Sequence, residues 1–120
     1  MSHVIDVQKI VLLPRYTSFS GAQVLRTAPI NVRAFASAII SLWVGNAVGT
    51  TPGLVMQVQQ SPDLKIWTGI SGFSGVPETE ITNSVAFEME WIRLVITLTG
   101  TDPGFTGWCV GDFVTRVPRR

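Results

Sequence analysis

His3 is the only histidine in the 120 residues, and it stands three places from the N-terminus. A Ser-His-Asp triad would have to be assembled around that end, where chains fray unless they are tied down. Gly72-Phe73-Ser74-Gly75 approaches a nucleophile elbow, but that pattern needs glycine two places after the serine, where Val76 stands. Glu78, Glu80, Glu88 and Glu90 could supply the carboxylates of a glycoside hydrolase. That chemistry holds its pair about 5 Å apart, or about 6.5–9.5 Å apart, within a cleft. Glu88 and Glu90 fall on the polar side of an alternating run and Glu78 and Glu80 in a loop, so a solvated edge is the simpler reading. Asp63, Asp102 and Asp112 could offer calcium oxygen ligands from sandwich loops, yet their spacing singles out no site. No phosphate loop, dinucleotide fingerprint or His-Glu-x-x-His occurs. Cys109 is the lone cysteine, which excludes an internal disulfide and a cysteine zinc site, and it sits in an apolar run as a small hydrophobe. The expectation is therefore of no catalytic residue, no metal and no cofactor.

Composition narrows the class further. The chain is 46% hydrophobic and 14% charged, against roughly 25% charged in ordinary domains, which excludes a disordered segment. A net charge of +1 argues against a dedicated nucleic-acid binder. Asp6 and Lys9 interrupt the N-terminal apolar stretch, so it is no signal-peptide core. The apolar run from Ala38 to Val48 is too short to span a bilayer, which takes about 20 residues. A soluble, cytoplasmically made single domain over residues 1–120 is expected.

The elements that must position any site read as strands. Val, Ile and Thr dominate, and they suit a pleated, half-buried surface. From Trp91 to Thr99, Ile92, Leu94, Ile96 and Leu98 alternate with Arg93, Val95, Thr97 and Thr99, the period of two that one buried face demands. Leu54, Met56 and Val58 repeat it, as do Val85, Phe87 and Met89. Cys109 and Phe113 alternate with Trp108, Val110, Asp112 and Val114 in a last strand. Val4 to Leu13 and Val32 to Val44 are further candidates, and Glu78 to Ser84 could hold one short helical turn. Turn residues separate the runs at Gly49, Pro52 and Gly53, at Ser61-Pro62-Asp63, at Ser71 to Pro77, and at Gly100 to Gly104. Strands at this spacing without intervening helices imply an all-β, antiparallel two-sheet β-sandwich of jelly-roll type with about eight strands. No internal repeat is apparent at this level.

Two stretches add a resemblance. Gln59-Gln60-Ser61-Pro62-Asp63-Leu64-Lys65-Ile66-Trp67 resembles the Q-x-S-x-D-x-x-x-W hairpin of galactose-binding and discoidin-like jelly rolls. Trp91-Ile92-Arg93-Leu94 resembles the aromatic-V/I-R-L strand that follows it in that superfamily. Similar hairpins occur in tailed-phage capsid decoration proteins. The resemblance covers the central third of the chain and implies a fold, with Ser61 and Asp63 shaping a turn and Trp67 covering the hairpin root. It carries over no binding site, and the terminal cysteine pair of discoidin domains is missing.

Apolar side chains exceed the needs of one core. In the Val32 to Val44 run, Ala38, Ile40, Leu42 and Val44 make one face, yet Phe35, Ile39 and Trp43 occupy the other. Apolar area beyond one core marks an assembly surface. Residues 1–62 carry a net +3 and residues 63–120 a net −2, with Arg116, Arg119 and Arg120 forming a basic end around a short tail at 118–120. An N-terminal arm, residues 1–13, could add a strand to a neighbouring sheet. Taken with the resemblance, these features imply a non-enzymatic virion structural protein that decorates a bacteriophage capsid. Its partners would be itself, as a trimer or other small oligomer, and a major capsid protein, without nucleic acid or membrane. Phe35, Ile39, Trp43, Arg116, Arg119 and Arg120 are the candidate assembly surface. The alternative is a carbohydrate-binding or host-adhesion module with Phe105 and Trp108 stacking on sugars and Asp102 bonding hydroxyls.

Overall fold

The computed structural model describes residues 7–115, and all of its regular structure is β. The strands are β1 (Val7–Ser20), β2 (Val24–Arg26), β3 (Ile30–Asn31), β4 (Phe35–Val44), β5 (Val48–Ser61), β6 (Thr68–Ser74), β7 (Thr79–Ala86) and β8 (Trp91–Thr115). Every strand pairing is antiparallel. The first half of β8 pairs with β5 on one side and with β2 and β3 on the other, and β6 edges β5. The second half of β8 pairs with β4 and β1, and β7 edges β4. The ladder is continuous through β8 as one eight-stranded sheet, but it folds in the middle into two layers, the β5 sheet and the β4 sheet. The molecule is a β-sandwich, with extents of 57 × 30 × 17 Å.

The alternation read in the sequence builds the core. Ile92, Leu94, Ile96 and Leu98 point inward from one sheet with Leu54, Met56 and Val58; Ala38, Ile40, Leu42, Cys109 and Phe113 point inward from the other. Each large aliphatic side chain buried this way contributes about 1.5–3 kcal/mol. Two expectations fail. Thr79–Ala86 is a strand where Glu78 to Ser84 could have held a short helical turn, because its register against β4 from Ala86 to Glu80 places Val85 and Ile81 on the core. Phe35 is buried, because a register shift between Phe35 and Ser37 turns it from the outer face to the core, edge-on to Phe113 at 5.3 Å. Val7 to Leu13, the described part of the expected N-terminal arm, pairs with β8 of its own chain; residues 1–6 of that arm lie outside the described residues.

The fold in the ladder is a paired corner. Gly49-Thr50-Thr51-Pro52-Gly53 in β5 and Gly100-Thr101-Asp102-Pro103-Gly104 in β8 share the pattern Gly-Thr-x-Pro-Gly, a short repeat that the turn-by-turn reading passes over. Gly49 and Gly100 hold φ of 105° and 112°, and Thr51 and Asp102 hold 51° and 48°. Val48 faces Gly104 as Gly53 faces Thr99, with Thr50 opposite Thr101 between them, so the two segments are related by a local twofold. A Cβ on Gly49 would strike the Asp102 carbonyl oxygen, and one on Gly100 would lie 2.6 Å from that of Thr51. The other chain segments bend at the same level. Gly21 N–H donates to Pro103 O at 2.9 Å, and Gly75 N–H donates to Leu54 O at 2.8 Å.

The β5–β6 connection is built from Ser61 and Asp63. The Ser61 hydroxyl accepts from the N–H groups of Asp63 and Leu64 and donates to Asp63 Oδ1. Asp63 Oδ1 accepts from the N–H groups of Lys65 and Ile66 at 2.9 and 3.1 Å, and these bonds hold its carboxyl below its ordinary value. Trp67 then lies beneath the Arg93 guanidinium, 4.1 Å from ring centroid to carbon, while Arg93 Nε donates to Gln59.

Two predictions follow from this geometry. Gly49→Ala and Gly100→Ala each lower stability by about 2–4 kcal/mol, from left-handed strain together with the carbonyl clash. Gly72→Ala, with open space at its Cβ, changes stability by under about 1 kcal/mol; urea midpoints compare all three. A depressed folded-state pKa makes the Asp63 contribution fully present above its unfolded value near 3.8 and lost as pH falls through the lowered one. Asp63→Ala is therefore less stable than the parent at pH 7, and the gap narrows as pH drops below 3.8.

Candidate assembly face

The outward side of the β4 sheet carries a field of side chains laid out in rows by the registers of β1, β8, β4 and β7. Its most ordered row runs Arg15, Trp108, Trp43, Glu80. Trp43 and Trp108 are register partners and stack at 4.3 Å with 16° between planes, and the Arg15 guanidinium sits 4.8 Å from the centre of the Trp108 ring. Glu80 is the register partner of Trp43 on β7. Such a ring pair is worth about 0.5–1.5 kcal/mol beyond its area, and the cation adds about 0.5–1 kcal/mol. The next row holds Val11, Val110, Ser41 and Thr82, with the last two hydroxyls 2.9 Å apart. Then come Lys9, Asp112, Ile39 and Ser84, with Lys9 Nζ 3.9 Å from Asp112 Oδ1. Val7, Val114, Ser37 and Ala86 close the field.

Much of this apolar surface reaches solvent. Val7 is 57% exposed, Val11 58% and Ile39 46%, while Trp43 and Trp108 are half-buried. The outward side of the β5 sheet differs, since Arg26, Gln57, Gln59, Arg93 and Thr97 interleave with its valines. There, partial desolvation and the neighbouring Arg26 cation draw Arg93 below the usual guanidinium range.

Of the residues singled out from sequence, Ile39 and Trp43 stand on this outer face and Phe35 does not. Arg116, Arg119 and Arg120 lie outside the described residues. The sugar-contact set is not brought together. Phe105 is 4% exposed and part of the core, so it offers no ring to a ligand, and Asp102 lies exposed at the paired corner. Trp108 is on the outer face, where Trp43 stacks on it and the Arg15 guanidinium lies against its ring. Sequence reasoning missed Val7, Val11, Arg15 and Glu80 as members of the face. Alternation alone placed Trp108, Val110 and Val114 opposite Cys109, but only the register sets them beside β1 and β4.

Elsewhere the chemistry is sparse. A shallow, open cleft of about 460 Å³ lies between Arg33, Pro62, Glu88, Met89 and Glu90, where Arg33 pairs with Glu90 at 3.6 Å. Among the described residues no group of three His, Cys, Asp or Glu side chains could hold a metal ion. No helix there is long and apolar enough to cross a membrane. Cys109 is fully buried, and burial pushes its thiol up to about 12.

No protein family and no curated protein matches this chain. Solved structures do. A protein of Bacillus endospore appendages, described as disulfide-linked pili, superposes with a TM-score of 0.59 at 15% identity, over 96% of this chain and 91% of that one. A chain from infectious bursal disease virus, Gx strain, superposes with a TM-score of 0.54 at 14% identity, over 95% of this chain and 37% of that one. The likeness is one of fold. A carbohydrate-binding module from Cellvibrio mixtus lichenase 5A reaches only 0.41 at 12% identity, over 92% of this chain and 86% of that one, below the level at which a fold is shared.

At pH 8 a thiol with a pKa of about 12 is ionised in about one molecule in ten thousand, and Cys109 is also out of reach of reagent. Thiol labelling of the native protein therefore proceeds at the rate of unfolding, and rises to that of a free thiol in denaturant. Prompt labelling under native conditions would show that the β4 sheet does not cover Cys109.

Proposed function

We propose that this chain is a non-enzymatic structural subunit of a virus particle, and specifically a bacteriophage capsid decoration protein. The observation that carries the reading is the outer face of the β4 sheet. Seven large apolar side chains share it with a row of hydroxyls, the Lys9–Asp112 pair, Arg15 and Glu80, while the opposite face of the same sandwich sets only a few valines among its polar groups. A solvated sandwich gains nothing by exposing Val7, Val11 and Ile39, whereas a subunit that docks gains their burial on association. Sparse charge keeps the desolvation cost of that burial low. The hairpin at Ser61 to Trp67, similar to those of phage decoration proteins, supports the finer assignment. Sandwiches of this shape in an endospore appendage and in a virus support the coarser one by analogy.

Decoration works by mass action. A protein that binds the assembled shell and not its separated subunits stabilises the shell by RT ln(1 + [L]/Kd) per site, as any state-selective ligand does. Apolar contact would supply affinity, and the charged groups at the margins would fix orientation.

Purified protein mixed with undecorated bacteriophage shells co-sediments with them and raises their dissociation temperature. Ile39→Lys, which sets a cation opposite Asp112 at an exposed position, weakens that binding about tenfold or more while leaving the stability of the free protein within about 1 kcal/mol. Shells that neither bind the protein nor gain stability from it would remove the decoration reading.

A further inference from the structure

We infer that the outer face of the β4 sheet is self-complementary and joins two copies of this chain face to face, about a twofold axis parallel to the strands. The inference rests on the reading of that face as an assembly surface and names its first occupant. The face is divided lengthwise. Its β1–β8 half carries four valines and bears cations at the edge, whereas its β4–β7 half is small and hydroxylic apart from Trp43 and Ile39 and bears an anion at the edge. A twofold along the strands exchanges the halves and keeps each row at its own level. Val7 then meets Ala86 of the second copy, Val114 meets Ser37, Val110 meets Ser41 and Val11 meets Thr82. Bulk lands on small residues in these two rows, while Trp108 meets Trp43 and Asp112 meets Ile39 in the other two.

Charge agrees with shape. Arg15 and Glu80 lie at the same level on opposite edges, and neither makes an ion pair among the described residues. The proposed axis brings Arg15 of each copy to Glu80 of the other, so two ion pairs flank a central stack of the four tryptophans. Lys9 stays paired with Asp112 in its own chain. A twofold across the strands fails both requirements. It sets Trp108 on Val114, and it leaves Arg15 over Val7 and Glu80 over Ala86.

The footprint suffices. Four strands about 4.8 Å apart and runs of about eight residues at about 3.3 Å cover about 500 Å² per copy, so the pair buries about 1,000 Å², where specific interfaces begin. A dimer of modest affinity is expected, in which the second copy and a shell compete for the same face.

Sedimentation equilibrium tests the pairing. The wild-type chain forms a dimer, Arg15→Glu and Glu80→Arg each weaken it about tenfold or more, and the double variant R15E/E80R recovers most of the loss. Ser41→Arg points outward at the centre of the face and gives a folded monomer by circular dichroism and sedimentation. A wild-type monomer at millimolar concentration, a trimer, or single charge reversals that leave the dimer unchanged would overturn the inference. A monomer that still binds shells would overturn the dimer alone, and a dimer that ignores shells would overturn the decoration reading alone.

Discussion

β5 and β8 turn the same corner side by side, and the rest of the sandwich is arranged around that event. A single strand that bends between two sheets breaks its ladder and leaves backbone groups unpaired. Two strands that bend together, with Val48 on Gly104 and Gly53 on Thr99, resume pairing directly on either side. The condition is a left-handed glycine in each strand, close enough to the opposite backbone that no side chain fits. Pro52 and Pro103, which lack a donor N–H, fall where the ladder is already interrupted. The corner thus converts one continuous ladder into two facing sheets, and it aligns the inward rows of both without a separate connection.

That alignment also determines what lies outside. Once Cys109 and Phe113 are committed to the core, period two sends Trp108, Val110, Asp112 and Val114 outward, and the partners of β8 must match them row for row. Trp43 therefore meets Trp108, and Ile39 meets Asp112, as a consequence of register rather than of local attraction. The outer face is a by-product of the fold in its position, but its composition is free to vary.

The sequence makes the alternation of β8 and the core residues of β5 plain, because period two over Ile92 to Leu98 has one reading only. Three features were hidden, each for a physical reason. The side on which Phe35 packs depends on a bulge, and one extra residue reverses every inference from alternation beyond it. Gly100 to Gly104 reads as a turn because glycine and proline mark turns and corners alike; the matching Gly49 to Gly53 was the available signal that the two belong together. Phe105 follows directly on that corner, so its burial could not be told from local pattern. As for the candidate face, Ile39 and Trp43 were legible as an unexplained apolar surplus. Arg15 and Glu80 were not, since nothing local says that residues 65 places apart share a row.

The two outer faces of the molecule serve as each other's control. Both belong to one sandwich of about the same strand length, and both must keep a pleated surface in contact with water when the chain is alone. The β5 sheet meets that condition with Arg26, Gln57, Gln59 and Arg93 around exposed Val24 and Val55, so folding does not require a continuous apolar exterior. The β4 sheet, built on the second half of the same strand, exposes valine and isoleucine where polar residues would fold as well. A difference between two faces that folding treats alike has to be explained by something folding does not include. Contact with another molecule is the explanation that also accounts for the cation at one edge of that face and the anion at the other. Solubility alone would have favoured an even scatter of charge.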